Sequence, residues 1–379
     1  MGLTANSDDE RTDLVDDTVR WLQSRLPRSW EVGRTRRTFV GQAGPEAQTL
    51  DAAIDVKGSN ATVTTLAVEA RRSFEPRDVD ALLSGLARSL RSLAGYIPIL
   101  VVAPWLSPRT RERLEAEGIN FVDLTGNALV ALDNPTLYLR SDGAQRNPAP
   151  TGRGRARVRG PRAARLVRLL VDVQPPYGIR ELAVATGLTP GYVSELVEAL
   201  DREALVDRER RGGVQAVDVP GLLRRWAESY DVFSANAASS FLAPRGPAAA
   251  LRALEERADA DGVLVTGSFA AVRRAPVAAP ALLCLYCRDP AAIAQGLGLL
   301  PADPGAGGNV VLLQPFDEVV WERADRDGEA AYAAISQVAV DCLTGNGRMP
   351  AEGEAVLGWM GEHEDEWRAG RLPTKSDPE

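Results

Sequence analysis

Residues 178–200 read GIRELAVATGLTPGYVSELVEAL, and the organisation of the chain around them follows from this stretch. Ile179, Leu182 and Ala183 share one face of a short helix over 178–186. Gly187, Leu188 and Thr189 then form a turn, with Thr189 placed to cap the next helix and Pro190 at its first position. Val193, Leu196, Val197 and Leu200 recur at helical spacing over 190–203. Upstream, Arg162–Val173 (RAARLVRLLVDV) sets Leu166, Leu169, Leu170 and Val173 on one face, and Pro175-Pro176 stops that helix. Downstream, 205–208 and 214–219 flank Gly212-Gly213, whose tolerance of positive φ suits a tight hairpin turn.

Helix, helix, turn, helix, hairpin is the order of a winged helix-turn-helix. The skeleton I-x-x-L-A-x-x-x-G-L followed by Y-V-S-x-L-V-x-x-L resembles the MarR- and IclR-type winged helices over residues 160–220. That resemblance implies double-stranded DNA as partner, with the third helix in the major groove. It places Thr189, Gly191, Tyr192, Ser194 and Glu195 against base edges, and Arg208, Arg210 and Arg211 on a wing that reaches phosphates or the minor groove. Arg153, Arg155, Arg157, Arg159, Arg162 and Arg165 read as a flexible phosphate-binding arm. The alternatives are a protein-binding module and a merely solvated linker.

Charge supports a local contact surface. Pro150–Trp226 holds 14 arginines and 9 acidic residues, a surplus of five positive charges in a chain of net charge −8, so the rest carries −13. A basic module in an acidic chain is the footprint of one DNA-contacting face rather than of a general nucleic-acid coat. The single histidine, His363, removes Ser-His-Asp catalysis, HExxH chemistry and HD-type metal sites, so any catalysis would run on carboxylates. Cys284, Cys287 and Cys342 are too few for a disulfide framework. The Cys284-Leu-Tyr-Cys287 pair lies in an apolar run, 281–287, that reads as a buried strand. No run reaches the roughly 18–20 apolar residues that span a bilayer, and the polar start is unlike a signal peptide. A cytoplasmic protein without membrane contact is expected.

Before the basic module, the pattern is a helix over 8–26, strands over 49–56 and 62–71, a helix over 76–93, a strand over 97–103, a helix over 108–117 and a strand over 120–123. This order resembles the PD-(D/E)xK restriction-endonuclease-like fold, which implies Mg²⁺ held by an Asp on one hairpin strand and a Glu on the next. Asp51 and Glu69 match those positions, and Arg71 stands where the family has lysine. Arg71 is permanently charged and would pair with Glu69, so a salt-bridged strand face is expected in place of a working nuclease. With the turn near Ser59, Asp51 should pair near 66–68 and Asp55 near 62–63.

After the basic module, a helix over 248–258 leads to a strand over 262–266, Gly267-Ser268, a strand over 281–287, a helix over 290–299, strands over 309–314 and 318–323, and a helix over 330–343. A Gly-Ser after a first strand resembles the nucleotidyltransferase fold, in which that turn contacts triphosphate. The clustered carboxylates of two-metal transfer are missing, since Asp289 and Asp317 stand alone. With the run from Ser336 through Gly347-Arg348-Met349-Pro350, residues 160–360 resemble the antitoxin-like regulators of type IV abortive-infection systems, the AbiE antitoxin family.

The expected architecture is therefore α/β and multidomain. It has a restriction-endonuclease-like α/β domain over 1–140, an Arg/Pro/Gly-rich linker over 141–160 and a winged helix-turn-helix over 161–230. A nucleotidyltransferase-like α/β domain over 247–360 and a polar tail over 361–379 complete it. The expected function is transcriptional regulation without catalysis or cofactor, as a homodimer on double-stranded DNA. The alternatives are a Mg²⁺-dependent nuclease using Asp51 and Glu69, and an antitoxin that contacts a cognate toxin or other neighbouring-gene product.

Overall fold

A computed structural model describes residues 5–35, 52–84, 97–145, 147–149, 158–208, 213–256, 262–303, 307–327 and 330–372. The chain divides into two compact units, Met1–Arg155 and Ala156–Glu379, both of mixed α/β structure. No helix among the described residues is long and apolar enough to cross a membrane.

The first unit runs α1 (Ala5–Arg25), β1 (Glu31–Arg34), β2 (Ala52–Lys57), β3 (Val63–Ala70), α2 (Pro76–Leu82), β4 (Ile99–Ala103), α3 (Pro108–Ala116), β5 (Asn120–Asp123), β6 (Ala128–Leu132) and β7 (Leu137–Ser141). The seven strands lie in sequence order in one sheet. The pairs β3–β4 and β4–β5 are parallel, because a connection carrying a helix intervenes each time, and the outer pairs are antiparallel. Period-two alternation serves two cores. Leu66, Val68, Leu100 and Val102 join Leu14, Val15 and Leu22 of α1, while Ala67, Val101 and Ala103 join Val79 and Leu82 of α2 and Leu114 of α3.

Three strands of this sheet, β1, β6 and β7, are not in the pattern read from the sequence. The hairpin register also differs. Its loop spans 58–62, closed by Gly58 N donating to Thr62 O at 2.9 Å, so Asp55 faces Thr65 and Ala52 faces Val68. A wider loop than one centred on Ser59 moves Asp55 away from 62–63.

The second unit opens with α4 (Gly160–Asp172), α5 (Ile179–Thr186), α6 (Pro190–Arg202), the hairpin of β8 (Val206–Arg208) and β9 (Val214–Val217), and α7 (Val219–Ala227). It continues through α8 (Val232–Ala235), β10 (Ala237–Leu242), α9 (Pro247–Glu255), β11 (Val263–Thr266), α10 (Ser268–Ala271), β12 (Leu283–Cys287), α11 (Pro290–Gly296), β13 (Leu300–Pro301) and β14 (Val310–Gln314). A 3₁₀ turn (Glu318–Trp321), β15 (Asp325–Asp327), β16 (Ala330–Tyr332), α12 (Ile335–Leu343), α13 (Met349–Glu362) and α14 (Glu364–Trp367) complete it. Seven strands form a mixed sheet of order β13-β10-β14-β12-β11-β16-β15.

The sequence separates 161–230 from 247–360, whereas one continuous core runs from Val158 to Met360 and 232–242 contribute α8 and β10. The stretch 318–323, read as a strand, is a 3₁₀ turn, because Asp317 Oδ1 accepts from Val319 N at 3.0 Å and turns the chain. Residues 330–332, read as the start of a helix, pair with β11 and β15. The described part of the polar tail is tied to α4 and the residues after it: Arg368 donates to Leu170 O at 3.1 Å, and Gln174 N donates to Ala369 O at 2.7 Å.

α4 is buried nearly all round, which its apolar face alone does not explain. Arg168, 1% exposed, sits within it and pairs with Asp172 at 3.0 Å. Its remaining N–H groups donate to Val319 O at 3.2 Å, Glu322 O at 3.0 Å and Gln337 Oε1 at 3.0 Å. Beside it Arg165 forks onto Asp317, the shortest contact being 2.8 Å. Replacing Arg168 by methionine keeps the bulk and strands Asp172, two carbonyls and the Gln337 amide. The expected loss is about 3–5 kcal/mol, read as a lower urea midpoint for the unit-two transition.

Candidate nucleic-acid interface

The α5–turn–α6 segment is held by the residues its sequence singles out. Gly187 ends α5 at φ 66°, a left-handed conformation that glycine adopts without strain. Thr189 Oγ1 accepts from Tyr192 N at 3.4 Å and Pro190 opens α6, so the turn is closed by its own side chains. Val193, Leu196, Val197 and Leu200 are buried. The opposite stripe of α6 faces solvent: Thr189, Gly191, Glu195 and Glu198 are exposed, and Tyr192 and Ser194 are partly so. Partial burial pushes the Tyr192 hydroxyl up, Arg162 pulls it back and Glu195 adds to the rise. Tyr192 therefore remains a hydrogen-bond donor at neutral pH.

The hairpin is tied to the start of α5. Tyr177 N donates to Val214 O at 3.2 Å and Val214 N donates to Tyr177 O at 3.0 Å, an antiparallel bridge that makes Tyr177 a third strand position beside β9. Gly213 permits this approach, since a Cβ there would lie 2.0 Å from Tyr177 O. Tyr177 is itself buried, its hydroxyl donating to Leu170 O at 3.2 Å at the end of α4. Hairpin, α5 and α4 thus meet at one residue. Sequence reading missed Tyr177, although a lone aromatic between Pro176 and Gly178 is a signal that the chain is pinned there.

Several arginines of the module carry no ion pair among the described residues: Arg159 at the cap of α4, Arg162 on its first turn, Arg180 on α5 and Arg208 on β8. The first three are exposed. Arg165, expected in a flexible arm, lies inside α4 and is committed to Asp317, and Arg162 is helical as well. Arg153, Arg155, Arg157, Arg210 and Arg211 lie outside the described residues.

The two catalytic-looking patterns are arranged differently. Glu69 Oε1 accepts from Arg71 Nε at 2.6 Å, and Arg71 also reaches Asp78 at 3.6 Å and lies over the Phe74 ring. Asp51 lies outside the described residues, and Asp55 Oδ1 accepts from Thr65 Oγ1 at 2.6 Å. Among the described residues no group of three or more His, Cys, Asp or Glu side chains is gathered as a metal would require. Gly267 keeps a positive φ of 65°, but its Cα faces Met349 and Cys284, and Ser268 is buried with its hydroxyl donating to Glu352. That turn is filled by α13. Asp289 and Asp317 cap α11 and the 3₁₀ turn. Cys284 and Cys287 are buried in β12, and burial pushes the Cys287 thiol up to about 12.

Asp341 of α12 is fully buried and was not foreseen. It accepts from Thr266 Oγ1 at 2.6 Å, Tyr230 OH at 2.8 Å, Gln337 Nε2 at 2.8 Å and Tyr286 OH at 2.9 Å. Desolvation outweighs these bonds and raises its pKa to about 6. Gln337 bonds both Asp341 and Arg168, so one polar chain joins α4 to the sheet.

Comparison with protein-family models, with curated proteins and with solved structures returns no match.

Two outcomes follow from these contacts. Gly213→Ala should push β9 off Tyr177, seen as lost hydrogen-exchange protection at the Val214 and Tyr177 amides while that of β11 and β12 is retained. For Asp341 the folded pKa is raised from 3.8 to about 6. Its contribution to stability is complete below the lower value and lost as pH rises through the upper one. Urea titrations from pH 4 to 8 should show Asp341→Asn gaining on the wild type as pH rises through 6.

Proposed function

We propose that this chain is a DNA-binding transcriptional regulator, with α4–α7 and the β8–β9 hairpin acting as a winged helix-turn-helix on double-stranded DNA. The observation that carries the reading is the pinned hairpin beside a capped α6 whose outer stripe is solvent-facing. A helix presented in this way fits the major groove by its N-terminal residues, and the hairpin serves as the wing. Arg159, Arg162, Arg180 and Arg208 make no ion pair among the described residues, so contact with phosphates breaks none of the ion pairs seen there. By contrast, the charged groups of the core are already engaged within the fold.

In this reading the protein works as a dimer on paired half-sites, one module to each. The first unit and the mixed sheet of the second are scaffolds or partner-binding parts, and among the described residues neither gathers a metal-binding cluster of carboxylates. Nuclease chemistry through Glu69 is disfavoured because Arg71 holds that carboxylate.

The test is a gel-shift series on duplex DNA from the region upstream of the chain's own gene, over increasing salt. Wild type should shift intact DNA, with affinity falling steeply as salt rises. Arg162→Ala and Arg208→Ala should each weaken binding across all sequences and reduce the salt slope by about 1. Absence of any shift at low salt overturns the reading, as does Mg²⁺-dependent cleavage of the DNA.

A further inference from the structure

The solvent stripe of α6 has a charge that is wrong for general DNA affinity. Glu195 is exposed on its second turn and Glu198 on the turn after, and neither makes an ion pair among the described residues. The helix has no cation before Arg202 at its end. A carboxylate carried into a DNA groove meets phosphates of its own sign, a penalty that any base sequence imposes. Only a base edge offering a proton compensates it. In the major groove, cytosine offers its N4 amine and adenine its N6 amine, whereas guanine shows two acceptors and thymine an acceptor and a methyl group. A carboxylate accepts and cannot donate.

We propose, resting on the DNA-binding reading above, that Glu195 is the specificity residue of this interface. It accepts a hydrogen bond from the N4 amine of a cytosine and excludes guanine and thymine at that position. The geometry favours Glu195 over Glu198, because the N-terminal turns of such a helix lie deepest in the groove. Ser194 is only partly exposed, and Gly191 has no side chain to compete for the same base edge. Arg162 and Glu195 both act electrostatically on Tyr192, from opposite signs. The arginine, which makes no ion pair among the described residues, therefore supplies a cation for the backbone close to where the glutamate meets a base. Affinity comes from the arginines and discrimination from the acid.

The experiment selects bound sequences from a randomised double-stranded DNA library with the full-length wild type, Glu195→Gln and Glu195→Ala, all at one salt concentration. Since Glu195 is exposed, its variants should keep the wild-type thermal unfolding midpoint, which is checked in parallel. The wild type should enrich a motif with one position dominated by cytosine, by a factor on the order of ten over guanine. Glu195→Gln should move that position towards adenine, whose N6 and N7 match an amide. Glu195→Ala should flatten that position alone and bind mismatched DNA more tightly than the wild type does. An identical motif from all three proteins overturns the proposal and leaves the DNA-binding reading standing. Retention of no DNA by any of them at low salt removes both.

Discussion

A charged guanidinium in the middle of a helix, away from water, is the constraint on which the second unit depends. Arg168 is accommodated there because Asp172 pairs with it and two carbonyls and an amide oxygen accept its other N–H groups. Those acceptors come from α4 itself, from the 3₁₀ region and from α12, so the three must be in place together. Taking such a group out of water costs several kcal/mol before its partners offset it. The arrangement therefore specifies geometry more than it adds stability. It fixes α4, the first helix of the proposed DNA-binding module, against the mixed sheet.

The same network ties 161–230 to 247–360 within one compact unit. Gln337 passes the connection from Arg168 to Asp341, and Asp341 gathers hydroxyls from Tyr230 after α7, Thr266 of β11 and Tyr286 of β12. From the other end, Arg368 and Ala369 close over the C-terminal end of α4 and the residues after it. Hydrogen bonds thus run from the sheet to α4, and from α4 through Tyr177 to the hairpin.

Much of the helical module was legible in sequence, because its elements are local and each has its own signal. Apolar spacing marked the faces of α5 and α6, and Gly187, Thr189 and Pro190 marked the turn between them. In the first unit, alternation identified β2 to β5. It missed β1, β6 and β7, short segments whose places are set by neighbours in the sheet. Apolar runs also misled at 318–323 and 330–332. There only long-range pairing distinguishes a turn, a strand and a helix. The pairing of Glu69 with Arg71 could be anticipated, since period two puts both on one face of an extended chain. No local pattern identifies Arg168 or Asp341 as buried polar centres.

By itself, then, the sequence determined the helices and capped turns of the module, the concentration of arginine around it and the placement of Arg71 beside Glu69. These rest on interactions between residues a few places apart, or on composition. Tertiary structure alone decided which arginines are spent internally and which are left facing water. Arg162 and Arg165 lie one turn apart in α4, yet Arg165 is taken up by Asp317 and Arg162 is exposed with no ion pair among the described residues. The difference arises because a partner 152 residues away in the chain is brought beside one and not the other, a proximity that only the closed core creates.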